Sequence, residues 1–292
     1  LKSLSTFMRD CLLSGTPAAI VRVGQALGST PREEGAAMLV TANAVQGTVG
    51  GGRLEWHGIE AARALIAGGE REARLAVPLG PRIGQCCGGH VTLHLRAVTE
   101  AALAEEEEQE ARERASLPVA LLFGAGHTGR AVAEALSPLP IRLRVVDSRP
   151  EALEGLPPGV ERLGLAIPEA AVASAPPRSA FLVMTHDHPL DFLLAAAALR
   201  RGDASYVGMI GSATKRETFR RALAETGEEA LVAGLTLPVG GSGLRDKRPA
   251  VIAALTAAEV AVCLLSNQQE SLPDRLAGAD PGCHSDGVRR TG

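Results

Sequence analysis

The chain has 292 residues, 46% of them hydrophobic, with 33 acidic against 30 basic side chains and a formal net charge of −3. That length and apolar content suffice for two domains with buried cores, and so balanced a charge gives no field that would gather nucleic acid or an anionic membrane. An aromatic share of 2% leaves too few rings for a single-strand stacking platform, and five scattered cysteines do not make a disulfide scaffold.

No apolar run of about 18 residues is picked out as a membrane span or signal sequence, which makes cytoplasmic residence the default expectation. Residues 3–13 read as a helix, and residues 18–23, 37–41 and 91–98 read as strands from their β-branched content and alternation. Residues 43–47 supply turn chemistry. Gly50-Gly51-Gly52-Arg53-Leu54-Glu55-Trp56 then feeds a helix to about Ala67. Free amides at a helix start, with Arg53 beside them, suit a phosphate or carboxylate, although a triple glycine also serves a plain flexible loop.

Gly84-Gln85-Cys86-Cys87-Gly88-Gly89 follows, two adjacent thiols flanked by glycines. Glycine lets a flat ligand approach the backbone, and a thiolate takes a soft metal or exchanges sulfur. Neighbours in an extended segment point to opposite faces, so one of Cys86 and Cys87 is a ligand candidate and the other packs. Without a Cys-x-x-Cys pair, structural zinc is not expected.

Residues 100–117 hold seven acids against two bases. They read as a solvated, helical linker that divides a domain over 1–99 from another over 118–266, with a Gly-, Pro-, Asp- and Ser-rich tail over 267–292.

The second domain opens on an apolar strand at 119–123, then Gly124-Ala125-Gly126-His127-Thr128-Gly129, then a helix through about Leu136. This is the context in which Gly-x-Gly-x-x-Gly binds a dinucleotide phosphate. A strand at 141–146 ends in Asp147, about 20 residues on, where an acid meets ribose hydroxyls. Strands at 181–184 and 205–210 continue the alternation. The fold class is therefore α/β: an amino-terminal mixed domain and a carboxy-terminal Rossmann-like, doubly wound parallel sheet.

Two further strand ends carry polar groups. Thr185-His186-Asp187-His188-Pro189-Leu190-Asp191 offers imidazoles and carboxylates for a metal or for acid–base work, or caps for the next helix. Gly211-Ser212-Ala213-Thr214-Lys215-Arg216 is a second helix start suited to phosphate, or a solvated helix face. The apolar helix over 249–265 either covers the sheet or joins two copies in a homodimer.

Taken together, Gly28-Ser29-Thr30-Pro31-Arg32, the stretch 47–56, the stretch 80–89, and in the second domain 123–130, 185–191, 206–216 and Leu237-Pro238-Val239-Gly240 resemble the xanthine dehydrogenase accessory proteins, the XdhC/CoxI family. The resemblance covers most of residues 15–265, and the stretch 239–247 is more glycine-rich and basic than the family pattern. It implies a chaperone without turnover that holds the molybdenum cofactor (molybdopterin) while a cysteine desulfurase installs its sulfido ligand, and that delivers it to apo-xanthine dehydrogenase. Other molybdenum cofactor biosynthesis proteins would be partners. The implied cofactor contacts are Gly51, Gly52 and Arg53 on phosphate, with Gln85, Cys86, Cys87 and Gly88 also on the cofactor and one of Cys86 and Cys87 near the metal or its exchangeable sulfur. In the second domain they are Gly124, Gly126, Gly129, Asp147, His186, Asp187, His188, Ser212 and Lys215. The rival expectation is an NAD(P)-dependent oxidoreductase with Asp147 on ribose and His186 or His188 as acid or base. A docking scaffold with a vestigial Rossmann domain is the third.

Overall fold

The structure, a computed structural model, describes residues 3–79, 89–241, 244 and 246–269. The backbone divides into two compact units, Leu1–Ser116 and Leu117–Gly292.

The first unit runs α1 (Leu4–Ser14), β1 (Ala18–Leu27), β2 (Ala37–Thr41), β3 (Val45–Gly47), α2 (Gly52–Gly68), β4 (Glu72–Pro78), β5 (His90–Ala97) and α3 (Glu100–Ser116). Its five strands form one sheet in the order β3-β2-β1-β5-β4, with every pair antiparallel. The period-2 alternation of strand side chains decides which face each residue serves. Val21, Val23, Met38, Val40, Leu93 and Leu95 pack with Leu54, Ala62 and Leu65 of α2. Ala18, Ile20 and Leu39 pack on the opposite face with Met8 and Cys11 of α1 and Ala102 of α3. A sheet covered on both sides explains why its central strands are apolar in near-continuous runs.

Three expectations change here. The turn at 43–47 ends sooner: Thr41 Oγ1 accepts from the amides of Asn43 and Ala44 at 3.3 and 3.0 Å, and Val45–Gly47 is already strand β3. β4 was hidden because Glu72 and Arg74 on its exposed face make it look polar, as befits an edge strand with one exposed face. The acidic stretch over 100–117 is no free linker. As α3 it belongs to the first unit, where the Glu110 carboxylate accepts from the Ser5 amide and hydroxyl at 3.0 and 2.5 Å and the buried Glu106 pairs with Arg22.

The second unit runs β6 (Val119–Phe123), α4 (His127–Leu136), β7 (Arg142–Asp147), β8 (Glu161–Gly164), α5 (Glu169–Ala173), β9 (Ala180–Val183), α6 (His188–Arg200), β10 (Tyr206–Met209), α7 (Ala213–Glu225) and α8 (Pro249–Gln269). The sheet order is β10-β9-β6-β7-β8 and every pair is parallel. The chain starts in the middle at β6, builds outward to β8, then returns to the far side for β9 and β10, so the order reverses between β6 and β9. Alternation again sorts the core: Leu121, Phe123, Phe181 and Val183 face α6 and α7, while Ala120, Leu122, Leu143 and Val145 face α4 and α8.

α8 corrects the reading that no apolar run of bilayer length occurs, since Pro249–Ser266 is 18 residues long and apolar enough to cross a membrane. Pattern reading passed over it because Glu259 interrupts it. In this structure Ala253, Val260 and Leu264 pack with Val132 and Leu136 of α4. The Glu259 carboxylate accepts from Tyr206 Oη at 2.6 Å and from the Gly240 amide at 3.1 Å. Burial first, and this carboxylate second, raise the Tyr206 hydroxyl's pKa. The residues of the expected tail from 270 onward lie outside the described residues.

Candidate functional site

The two glycine-rich helix starts are built differently. In the first unit Gly50, Gly51 and Gly52 have φ of 127°, 72° and 61°, a left-handed run that side chains would strain. The loop folds around a carboxylate of its own: Glu55 Oε2 accepts from the Gly51 amide at 3.2 Å, the Val49 amide at 3.3 Å and the Thr48 hydroxyl. Glu55, from the first turn of α2, thus holds the loop that leads into the helix, while the amides of the first turn itself carry no side-chain cap. Arg53 is exposed, and Trp56, the one tryptophan of the chain, is 56% exposed with His57 edge-on at 5.0 Å. Gln85, Cys86, Cys87 and Gly88 lie outside the described residues.

In the second unit Gly124 has φ +100°, and a Cβ there would stand 2.4 Å from the Met184 carbonyl oxygen. A Cβ on Gly129 would stand 1.9 Å from the Gly124 oxygen, so α4 approaches β6 as closely as the fingerprint demands. Gly126 caps α4 with no side-chain hydrogen bond, and the space where its Cβ would lie is open. This helix start therefore keeps free amides.

Asp147 sits where the sequence puts it, at the end of β7, but its carboxylate is fully engaged. Oδ2 accepts from the Ala125 amide and Arg149 Nη2, both at 2.9 Å, and Oδ1 accepts from the Arg149 amide and Nε, both at 3.0 Å. Burial opposes its ionisation, and the Arg149 and Ala125 bonds outweigh burial and lower its pKa to about 2. Arg149 was not among the expected contacts, although its place two residues after the acid made the pairing legible.

At the end of β9 the polar cluster separates. His186 borders a cavity of about 190 Å³ at the carboxyl ends of β6, β7 and β9. His188 borders a different hollow with Ser212 and Lys215. Asp187 caps α6, accepting from the Leu190 amide at 3.4 Å, and Ser212 caps α7, accepting from the Lys215 amide at 3.4 Å. Lys215 is no solvated cation. With 9% of its side chain exposed it donates to Asp191 Oδ2 at 2.5 Å and to the Ile210 carbonyl at 3.0 Å. Asp191, with no exposed side chain, also accepts from the Thr185 amide and hydroxyl at 3.0 and 2.7 Å. This buried network ties the ends of β9 and β10, and it uses Asp191, which the sequence offered as a metal or acid–base group or as a cap for the next helix. Among the described residues no three His, Cys, Asp or Glu side chains converge as metal ligands.

Comparison with known proteins fits this architecture. The sequence model of the XdhC Rossmann domain matches residues 120–260, and that of the XdhC and CoxI family matches residues 11–78. The chain belongs to the XdhC and CoxI family. It is 30% identical over 261 residues to the uncharacterized protein YqeB of Escherichia coli K12, covering 86% of this chain and 42% of YqeB. The chain thus spans less than half the length of that relative. A crystal structure from Bacillus halodurans, described as a xanthine dehydrogenase, superposes with a TM-score of 0.70 over 93% of this chain and 98% of that one, at 18% identity, which shows a shared fold.

Proposed function

We propose that the chain is an accessory protein of xanthine dehydrogenase maturation that carries the molybdenum cofactor, protects it during sulfuration by a cysteine desulfurase and hands it to the apoenzyme. The carrying observation is membership in the XdhC and CoxI family, with matches in both units that include the glycine-rich start of α2 and the fingerprint loop before α4. Family membership supports the accessory role. The cofactor itself is proposed as cargo from the chemistry of the two helix starts.

The two most buried carboxylates of the site favour holding over converting. Asp147 and Asp191, the carboxylates at the carboxyl ends of β7 and beside β9, are tied up by donors of the protein itself. A general base needs an oxygen free for the substrate proton. A carrier instead needs fixed walls and donors for a phosphate, and α4 offers its uncapped amides. In this reading one of Cys86 and Cys87 meets the metal or its exchangeable sulfur.

The test is copurification from cells that make molybdopterin, with metal analysis and fluorescent oxidation of released pterin. The expected result is stoichiometric pterin and molybdenum, reduced in only one of Cys86→Ala and Cys87→Ala. Protein that emerges empty, takes up no added cofactor and leaves apo-xanthine dehydrogenase inactive overturns the proposal.

A further inference from the structure

The first unit holds a cavity of about 470 Å³ between α3 and the sheet face opposite α2. That is within the range of small-molecule clefts, roughly 300–1,000 Å³, and the carrier role gives it no task. Its two walls carry opposite charge. Register sets Arg96 beside Ile20, His94 beside Arg22, and Arg74 beside His94 on the other side, so the sheet wall is basic. α3 contributes Glu105, Glu106 and Glu108, and Ile20 and Ala102 are the apolar part of the lining. The walls are unequally satisfied. Glu106 pairs with Arg22, Glu105 with Arg96 at 2.6 Å and Glu108 with Arg112 at 3.1 Å. Among the described residues His94 and Arg74 have no hydrogen-bond or ion-pair partner. Like charges in one cross-strand row repel, so this row has donors to spare for an outside anion. The imidazole is held in place by the backbone: a Cβ on Gly24 would lie 2.5 Å from His94 Nε2, and only glycine at this irregular point of β1 leaves room for the ring.

We infer that this cavity binds a free α-amino acid with a small aliphatic side chain, its carboxylate on His94 in the basic row, its ammonium on Glu105 and Glu108, and its aliphatic group against Ile20 and Ala102. A carboxylate is the acceptor that imidazole and guanidinium donors recognise, and it supplies the anion that the sheet wall lacks. An ammonium is the matching group for the opposite wall. The Glu105 and Glu108 side chains are 60% and 69% exposed, and exposed ion pairs of that kind are weak, so both carboxylates can turn from their arginines to a ligand at little loss. The buried Glu106 stays on Arg22 and keeps α3 fastened to the sheet while they do so. The inference concerns the first unit alone and does not rest on the molybdenum reading.

The experiment is calorimetric titration of the full chain with L-alanine, L-valine, valinamide and N-acetylvaline, using the native protein, His94→Gln and the double variant Glu105→Gln/Glu108→Gln. The native protein is expected to bind L-alanine or L-valine saturably. Valinamide, without the carboxylate, and N-acetylvaline, without the ammonium, are expected to bind at least roughly tenfold more weakly. Each variant is expected to weaken the amino acid about tenfold, with the melting temperature of the ligand-free His94→Gln protein unchanged. N-acetylvaline bound as tightly as valine overturns the assignment to an amino acid. Absence of saturable binding by both amino acids, or full binding in both variants, overturns the site. A chain that never carries pterin but binds valine in this pattern would remove the molybdenum reading and leave this one standing.

Discussion

The start of α2 and the start of α4 look alike as sequence, each a glycine cluster opening a helix, yet the acid that holds each loop comes from a different place. At α2 the Val49 and Gly51 amides close on Glu55, a carboxylate from the helix's own first turn. At α4 no side chain caps the helix, and the nearby carboxylate of Asp147 takes the Ala125 amide and Arg149 instead. Neither helix has a side-chain cap on its first-turn amides, so both starts keep a positive end; they differ in where the nearby acid comes from, the first turn of α2 itself in one case and the end of β7 in the other. Glycine spacing locates a tight loop, but which acid holds that loop depends on the elements around it.

The sharpest way to break the comparison is at Gly129. Alanine there would place a Cβ 1.9 Å from the backbone oxygen of Gly124, and backbone cannot step aside as a flexible side chain can. Gly129→Ala is expected to destabilise the second unit by upwards of ~3 kcal/mol, at the upper end for single substitutions. Chemical denaturation should show that unit unfolding early while the first unit keeps its transition.

Much of this was legible beforehand. Strands β1, β2, β6 and β10 and helices α1, α2 and α4 follow from alternation and glycine placement, because each has a buried face that its residues must serve. β4 and β8 were not legible, since edge strands such as Glu161–Gly164 carry charged side chains that read as loop. Individual site residues were harder still. His186 and His188 are two apart and face different hollows, as the onset of α6 between them dictates. Lys215 was read as a phosphate ligand or a solvent-facing cation, and its role depends on Asp191, 24 residues away on another helix. Pairings of that kind are fixed by the sheet order and have no local signature.

A smaller effect sharpens the first half of the comparison. Glu55→Ala removes a partner from two amides and the Thr48 hydroxyl, a loss of about 1 kcal/mol, as for a typical helix cap. It also opens the loop to an outside anion. Inorganic phosphate is expected to raise the melting temperature of the variant's first unit more than that of the native protein. An equal response in both would mean that the Glu55 carboxylate does not occupy the anion position.

The mildest test concerns Asp147 and is read as a pH dependence. Its folded-state pKa of about 2 lies below the ordinary value of 3.8, so ionised Asp147 stabilises the folded chain. That contribution is complete above the ordinary value and is lost as the pH falls from about 4 toward 2, while Arg149 stays charged throughout. Glu161 and Asp246 also have lowered pKa values and add to the acid sensitivity of the whole chain. The informative quantity is therefore the stability difference between the native protein and Asp147→Asn. A difference that is constant from neutral pH to about 4 and then shrinks identifies the Arg149–Asp147 bond as formed in solution. A flat difference through that window would mean that in solution Arg149 does not hold Asp147, and that the crevice presents a free carboxylate to whatever enters it.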